Sequence, residues 1–238
     1  MMLAYKAVLG GVRLSEMRSR FVSSVTHELK TPLANIHALA ATLARQSQVP
    51  GERYRQYPRL LIRETSRLSG LVDNLLAYAR ITDVSEAYAF EPLAAAELVD
   101  EALRTFQPRL SEGGIKVQFD MSSDLPFVRV DQRAMMLALN NLIENAMRHV
   151  DHSGHIRISV RCVDSTVYLE VQDDGCGISP VKLAALRESI ASRAFSPSDG
   201  GGLGLAIASK VVADHGGTFT VDSVLGTGTR CVIGLPVC

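Results

Sequence analysis

Apolar residues recur at helical spacing through the first fifth of the chain. Phe21, Val25, Leu29, Leu33, Ile36 and Leu43 fall within a stripe roughly 120° wide, which predicts one buried helix face. His27 lies about 170° from the centre of that stripe, so the pattern aims an imidazole, flanked by Glu28, at water. The periodicity stops at Gln46-Ser-Gln-Val-Pro50-Gly51, a turn cluster. Beyond it Leu61, Thr65, Leu68, Val72, Leu75 and Ala79 repeat at alternating spacings of four and three, the seam of a coiled-coil-like bundle. Pro58 is expected in the first turn of this second helix, or at a kink in it. Two helices joined by a short loop make an antiparallel hairpin with half of each apolar face uncovered. Pairing two hairpins about a two-fold axis into a four-helix bundle covers those faces, so a homodimer is expected.

From about Phe90 the pattern changes. Residues 94–110 read as a helix, 115–121 alternate as a strand, and 131–149 read as a helix with Asp131 as its N-cap. Strands are predicted at 155–163 and 166–173, with Asp164-Ser165 as the turn between them. A glycine-studded stretch then leads into a helix near 203–215. Strands at 218–224 and 229–236 close the chain around the turn Leu225-Gly226-Thr227-Gly228. This order predicts an α+β fold: a helical hairpin over residues 1–85, then, over 86–238, an α/β sandwich with helices on one face of a mixed sheet.

The 238 residues carry 25 basic and 25 acidic side chains, a balance without an electrostatic footprint for nucleic acid or an anionic membrane. The cysteines at 162, 176, 231 and 238 have no zinc-finger spacing and read as reduced thiols. The apolar opening from Met1 to Val12 is too short to span a bilayer, and no signal peptide is visible, so a soluble chain is expected. No N-cap residue precedes the first helical pattern, which suggests that this helix continues one further upstream.

Four motifs of the second half carry chemistry. In Asn140-Asn141-Leu142-Ile143-Glu144-Asn145-Ala146-Met147-Arg148-His149, helical spacing puts Asn141, Asn145 and Arg148 on one face. An amide oxygen there can ligate Mg²⁺ beside phosphates without adding negative charge; a buried, hydrogen-bonded Asn is the alternative. Asp173-Asp-Gly175-Cys-Gly177-Ile178 puts a carboxylate at a strand end before two glycines, where backbone can approach a flat ligand and the acid can accept from an exocyclic amine. Gly200-Gly201-Gly202-Leu203-Gly204-Leu205 runs into a helix start, where unpaired N–H groups favour phosphate. It is no Walker loop, since no Gly-Lys-Ser/Thr follows. Gly226-x-Gly228-Thr229 is the fourth. Each glycine motif alone also fits an ordinary turn.

Two resemblances give these motifs a common meaning. Val22-Ser-Ser-Val-Thr26-His27-Glu28-Leu29-Lys30-Thr31-Pro32-Leu33 resembles the phosphoacceptor box of sensor histidine kinases, apolar-x-x-x-Ser/Thr-His-Glu-Leu-Arg/Lys-Thr-Pro-Leu. The later motifs, in their order, look like the N box and glycine boxes of the Bergerat-type ATP-binding fold, shared by histidine kinases, gyrase, heat-shock chaperones and mismatch-repair ATPases. The resemblance implies an ATP-dependent protein histidine kinase using Mg²⁺. His27 would accept the phosphoryl group, Glu28 would fix the imidazole tautomer, and the Glu-x-x-Thr pattern ending at Thr31 would support dephosphorylation of the partner, a response regulator receiver domain.

By position, the resemblance assigns Asp173 to the adenine amino group and Gly175, Gly177 and Ile178 to the adenine pocket. It gives Asn145 to the metal, with Asn141 nearby, and sets Arg148 and His149 against phosphates and ribose. Gly202, Leu203, Gly204 and Leu205 would cradle phosphates, and Thr229 would support the adenine end. The hydrolytic branches carry a Glu four residues before the metal-binding Asn; here that position is Asn141, which suits transfer over hydrolysis. One departure stands out: the segment Leu186 to Phe195 lacks the usual Phe-x-x-Phe-x-Arg run, leaving the register of Arg193 as lid cation open, with 196–199 as a lid. The resemblance further implies a cytoplasmic location, with any membrane attachment through an upstream sensor region. Two other classes compete: a non-catalytic ATP-binding scaffold, which would lack His27 or Asn145, and a phosphatase-dominant protein, which would keep Glu28 and Thr31 beside a damaged nucleotide site.

Overall fold

The computed structural model describes residues 26, 29–44, 51–82, 88–151, 153–192 and 202–238. The chain divides into two compact units between Arg80 and Ile81. His27, Glu28, Arg193 and the expected lid at 196–199 lie outside the described residues.

The first unit holds α1 (29–44) and α2 (Gly51–Thr82). α2 begins at Gly51, seven residues before Pro58. Pro58 therefore sits inside α2 and not in its first turn. The helix runs through it with one backbone hydrogen bond missing, that to the carbonyl of residue 54. The covered seam keeps Leu61, Leu68 and Leu75 of the predicted one and departs from it at the positions between them. On α2 it follows Tyr57, Leu61, Glu64, Leu68, Leu71 and Leu75, while Thr65 and Val72 face solvent. On α1 it follows Leu29, Pro32, Ile36, Leu39 and Leu43, and Leu33 is exposed. Each departure on α2 is a shift of one residue, from Thr65 to Glu64 and from Val72 to Leu71, since a helix face accommodates spacings of three and four alike. Leu33, Ile62, Val72 and Leu76 are left as large exposed apolar side chains.

The second unit is built on a five-stranded mixed sheet in the order β2-β4-β5-β7-β6. Its strands are β2 (Lys116–Met121), β4 (His155–Val163), β5 (Thr166–Asp173), β6 (Thr218–Val224) and β7 (Gly228–Pro236). β2 runs parallel to β4, and every other pairing is antiparallel. A separate two-stranded ribbon joins β1 (Glu91–Ala94) to β3 (Phe127–Val130). Strand alternation sorts the sheet's two faces. Ile156, Ile158 and Val160 on β4, Val167, Leu169 and Val171 on β5, and Cys231, Ile233 and Leu235 on β7 are buried in register on one face. The other face is polar and carries ion pairs such as Arg230–Glu170 at 2.6 Å.

Helices α3 (Ala95–Glu112), α4 (Gln132–His149) and α6 (Gly202–Asp214) supply the apolar layer, with Leu98, Met135, Leu139, Leu142, Ile143 and Ile207 fully buried. α5 (Pro180–Ser192) packs beside β6. Asp131 caps α4 as expected, its Oδ1 accepting the Ala134 N–H at 2.9 Å.

The start of this unit is held by a buried histidine. His215, just beyond α6, is stacked edge-on against Tyr88 and Phe90, with ring centroids 5.0 and 4.9 Å away. Its Nδ1 donates to the Val211 carbonyl at 2.7 Å, and its Nε2 accepts the Asp131 N–H at 3.0 Å, which fixes the neutral tautomer. Tyr88 donates to Asp214 Oδ2 at 2.7 Å, and the Ala89 N–H donates to Asp131 Oδ2 at 2.8 Å. Burial pushes the His215 imidazole below its usual pKa, against the opposing pull of the Val211 bond and of Asp131 and Asp214.

A pH dependence follows. The unfolded imidazole takes up a proton near pH 6.5 and the folded one only at lower pH, so stability is full above about pH 6.5 and falls below it, by at most about 1.4 kcal/mol per pH unit. Thermal unfolding from pH 8 to 5 should show this decline. His215→Gln, which keeps an acceptor for the Asp131 N–H and cannot titrate, should flatten it; an equal slope in both proteins would remove His215 as its source.

Candidate functional site

Alternation along β5 places Val167, Leu169, Val171 and then Asp173 on the helix-covered face. Three apolar side chains and one carboxylate thus form a single column, and the carboxylate at its end is only 5% exposed. Asp173 Oδ1 accepts the Gly175 N–H at 2.9 Å, and the backbone of Thr229 supplies a second bond. Burial pushes the Asp173 carboxyl above the usual Asp range; the two N–H bonds oppose that shift and nearby Asp174 adds to it. A carboxylate has about four acceptor positions, so this one can still receive a donor from a ligand.

The loop after Asp173 is pinned from both sides. The Cys176 N–H donates to the His149 carbonyl at the end of α4, at 3.2 Å, and the Gly226 N–H donates to the Cys176 carbonyl at 2.8 Å. The Ile178 N–H donates to Ser223 Oγ at 2.8 Å. Ser223 in turn donates to the Gly228 carbonyl at 2.8 Å and lies 3.0 Å from Thr229 Oγ1. Gly177 has φ +64°, and a Cβ there would collide with the Val224 carbonyl. Only glycine satisfies both conditions. A Cβ at Gly228 would likewise collide with the Asp173 carbonyl, which brings the last motif directly beneath the acidic one.

α4 presents its polar residues as a gradient. Asn141 is buried, Asn145 is half-buried, and Arg148 and His149 are exposed. At the core end Asn141 meets α6, where a Cβ on Gly204 would sit 2.5 Å from Asn141 Oδ1. The Leu203 and Leu205 side chains are buried and anchor α6 in the core. What this stretch offers a ligand is backbone, because the first four N–H groups of a helix beginning at Gly202 have no intrahelical partner.

The structure therefore joins all four motifs through backbone approach: Asp173 with Gly175 and Thr229, Gly177 and Ile178 with the β6–β7 turn, His149 with the loop at 175–176, and Asn141 with Gly204. Sequence reasoning missed Ser223. Its only signal is its register opposite Thr229, which needs the strand pairing to be known. Asn145, half-buried on α4, presents an amide oxygen, a donor type that fits a hydrated Mg²⁺. In the other unit Thr31 is exposed on α1.

The family model of the histidine kinase-, DNA gyrase B- and HSP90-like ATPases matches residues 130–238, most of the second unit. The His Kinase A (phospho-acceptor) domain matches residues 17–83. The sensor-like histidine kinase SenX3 of Mycobacterium tuberculosis is 31% identical over 227 residues, covering 94% of this chain and 55% of SenX3. Full-length ShkA in complex with AMPPNP is 26% identical at a TM-score of 0.61, covering 93% of this chain and 46% of that one. The fold of histidine kinase ThkA in complex with the response regulator TrrA matches at a TM-score of 0.70 and 24% identity, over 98% of this chain and 66% of that one. The chain belongs to the sensor histidine kinases, of which it carries the catalytic core. It spans 36%, 37% and 55% of the length of the first three curated relatives it matches. Among the described residues no helix is long and apolar enough to cross a membrane.

Proposed function

We propose that the chain binds ATP at the Asp173 site and transfers the γ-phosphoryl group to His27, from which an aspartate of a response regulator receiver domain takes it. The observation that carries this reading is the buried carboxylate of Asp173, held with spare acceptor capacity where the glycine motifs meet. Asp173 receives the adenine amino group. Gly175, Gly177 and Ile178 wall the ring, and Thr229 supports it from β7. The N–H groups at the start of α6, with Arg148 and His149, hold phosphates and ribose. Asn145 would hold Mg²⁺, which when bound neutralises charge on the phosphates.

His27 attacks through an unprotonated ring nitrogen. The N–P bond forms, the bond from the γ-phosphorus to the bridging oxygen breaks with ADP leaving, and Glu28 accepts from the other ring nitrogen. Asn141 stands where the hydrolytic relatives carry a carboxylate base, so water lacks an activator. Leu33, Ile62, Val72 and Leu76 are exposed apolar side chains that a second copy would cover, which supports a homodimer.

The test is transfer of label from γ-labelled ATP to the protein. An acid-labile, base-stable phosphate supports the reading, and absence of such label overturns it. Thr31 supports a second activity on the same partner, because it is an exposed residue of α1 four positions after His27 in the sequence. Thr31→Ala should leave autophosphorylation near wild type and slow loss of phosphate from the purified phosphorylated regulator; equal decay with both proteins would leave Thr31 a pre-proline residue only.

A further inference from the structure

Asn141 and Asn145 stand one turn apart on α4, yet their surroundings differ. Asn141 is 5% exposed, and its Nδ2 donates to the Leu137 carbonyl one turn back at 2.9 Å. That bond fixes the plane of the amide and turns Oδ1 toward the first turn of α6. A Cβ on Gly204 would lie 2.5 Å from Oδ1, 3.3 Å from Cγ and 3.5 Å from Cβ of Asn141, so the α6 backbone rests on the amide edge. Leu203 and Leu205, on either side of Gly204, are buried and fix the turn laterally.

We propose that Asn141 is a positioning residue. It sets the height of the start of α6 above α4, and so the placement of the N–H groups that face the phosphates, while Asn145 is left to face the ligand. The inference rests on the ATP reading given above. The residue type follows from the site. The position needs a donor for the Leu137 carbonyl and a small flat oxygen edge toward α6. Aspartate would lack the donor and bury a charge, while leucine would leave polar backbone facing apolar atoms. Gly204 is the complement, since any side chain there would have to displace an amide that is both buried and bonded.

The two positions should therefore show reciprocal rescue. ATP and adenosine affinities would be measured by competition against a fluorescent nucleotide, using the full chain as wild type, Gly204→Ala, Asn141→Ala and the double variant. Gly204→Ala should weaken ATP about tenfold through overpacking. Adding it to Asn141→Ala, where the obstructing oxygen is gone, should cost no more than about twofold. Adenosine affinity should stay within about twofold throughout, because Asp173 is untouched and the loss is confined to the phosphate end. Losses that multiply in the double variant, or ATP and adenosine falling together, would overturn the proposal. Wild-type protein that binds no ATP would strike the underlying reading instead, and the same titration shows it. Hydrogen exchange on ligand-free Asn141→Ala gives an independent measure: amides 205–208 should exchange faster than in wild type while the rest of α4 is unchanged, and equal exchange at 205–208 would overturn the proposal even if the double variant did not fold.

Discussion

Asp173→Asn is expected to weaken ATP binding about 10- to 150-fold, corresponding to about 1.5–3 kcal/mol for one charge-assisted hydrogen bond. The substitution exchanges a carboxylate oxygen for an amide nitrogen at the buried end of the β5 column, where the proposed partner is an amine that can only donate. The ligand-free protein should respond differently. Burial raises the Asp173 pKa, so the ionised carboxylate opposes folding at neutral pH; its unfavourable contribution is absent below the ordinary Asp range and grows as pH rises through the raised value. Removing that charge should leave the melting temperature of the free protein at pH 7 unchanged or higher while affinity falls. The same shift makes ATP affinity decline, on acidification, at a higher pH than an ordinary Asp would set. Calorimetric titration of wild type and variant decides the matter: equal affinities would remove Asp173 from the site. GTP, which presents a carbonyl where adenine presents its amine, should compete poorly with wild type.

The sequence made the site more legible than parts of the fold. Asp173 could be read because it ends a strand predicted by alternation along 166–173 and is followed by Gly175 and Gly177, all of them local signals. Asp131 could be read because an N-cap acts locally, through its own helix. The short ribbon of β1 and β3 escaped notice: four residues per strand give too few alternations to distinguish a strand from a loop, and their pairing spans the whole of α3 and β2. α5 escaped because Val181, Leu183 and Leu186 do not share one helix face, and Val181 is exposed. On α2 the positions Leu61, Leu68 and Leu75 were read correctly and those between them were not: Val72 is as apolar as its neighbour Leu71, and hydrophobicity alone cannot say which of the two the chain itself covers. His215 and Ser223 act across long sequence separations, on Asp131 and Ile178 respectively, and no local pattern marks them.

Replacement of His27 by glutamine is expected to abolish incorporation of acid-labile phosphate while leaving ATP affinity within about twofold of wild type, since every residue proposed for the nucleotide site belongs to the second unit. Glutamine approximates the length and polarity of the imidazole and supplies no nitrogen lone pair for attack, so the loss should fall on chemistry alone. His37 lies on α1 and is exposed, which makes it the rival acceptor on the same helix. It has no adjacent carboxylate: its neighbours are Ile36 and Ala38, whereas Glu28 follows His27 directly. Without such a partner nothing selects the tautomer that attacks, so His37 should carry little label in either protein. Labelling wild type, His27→Gln and His37→Gln in parallel, with ATP affinity measured on each, separates the possibilities. Label retained on His27→Gln and lost on His37→Gln would move the acceptor by ten positions along the helix. If His27→Gln lost label and ATP affinity together, residue 27 would belong with the nucleotide site, and the division of roles between the two units would have to be redrawn.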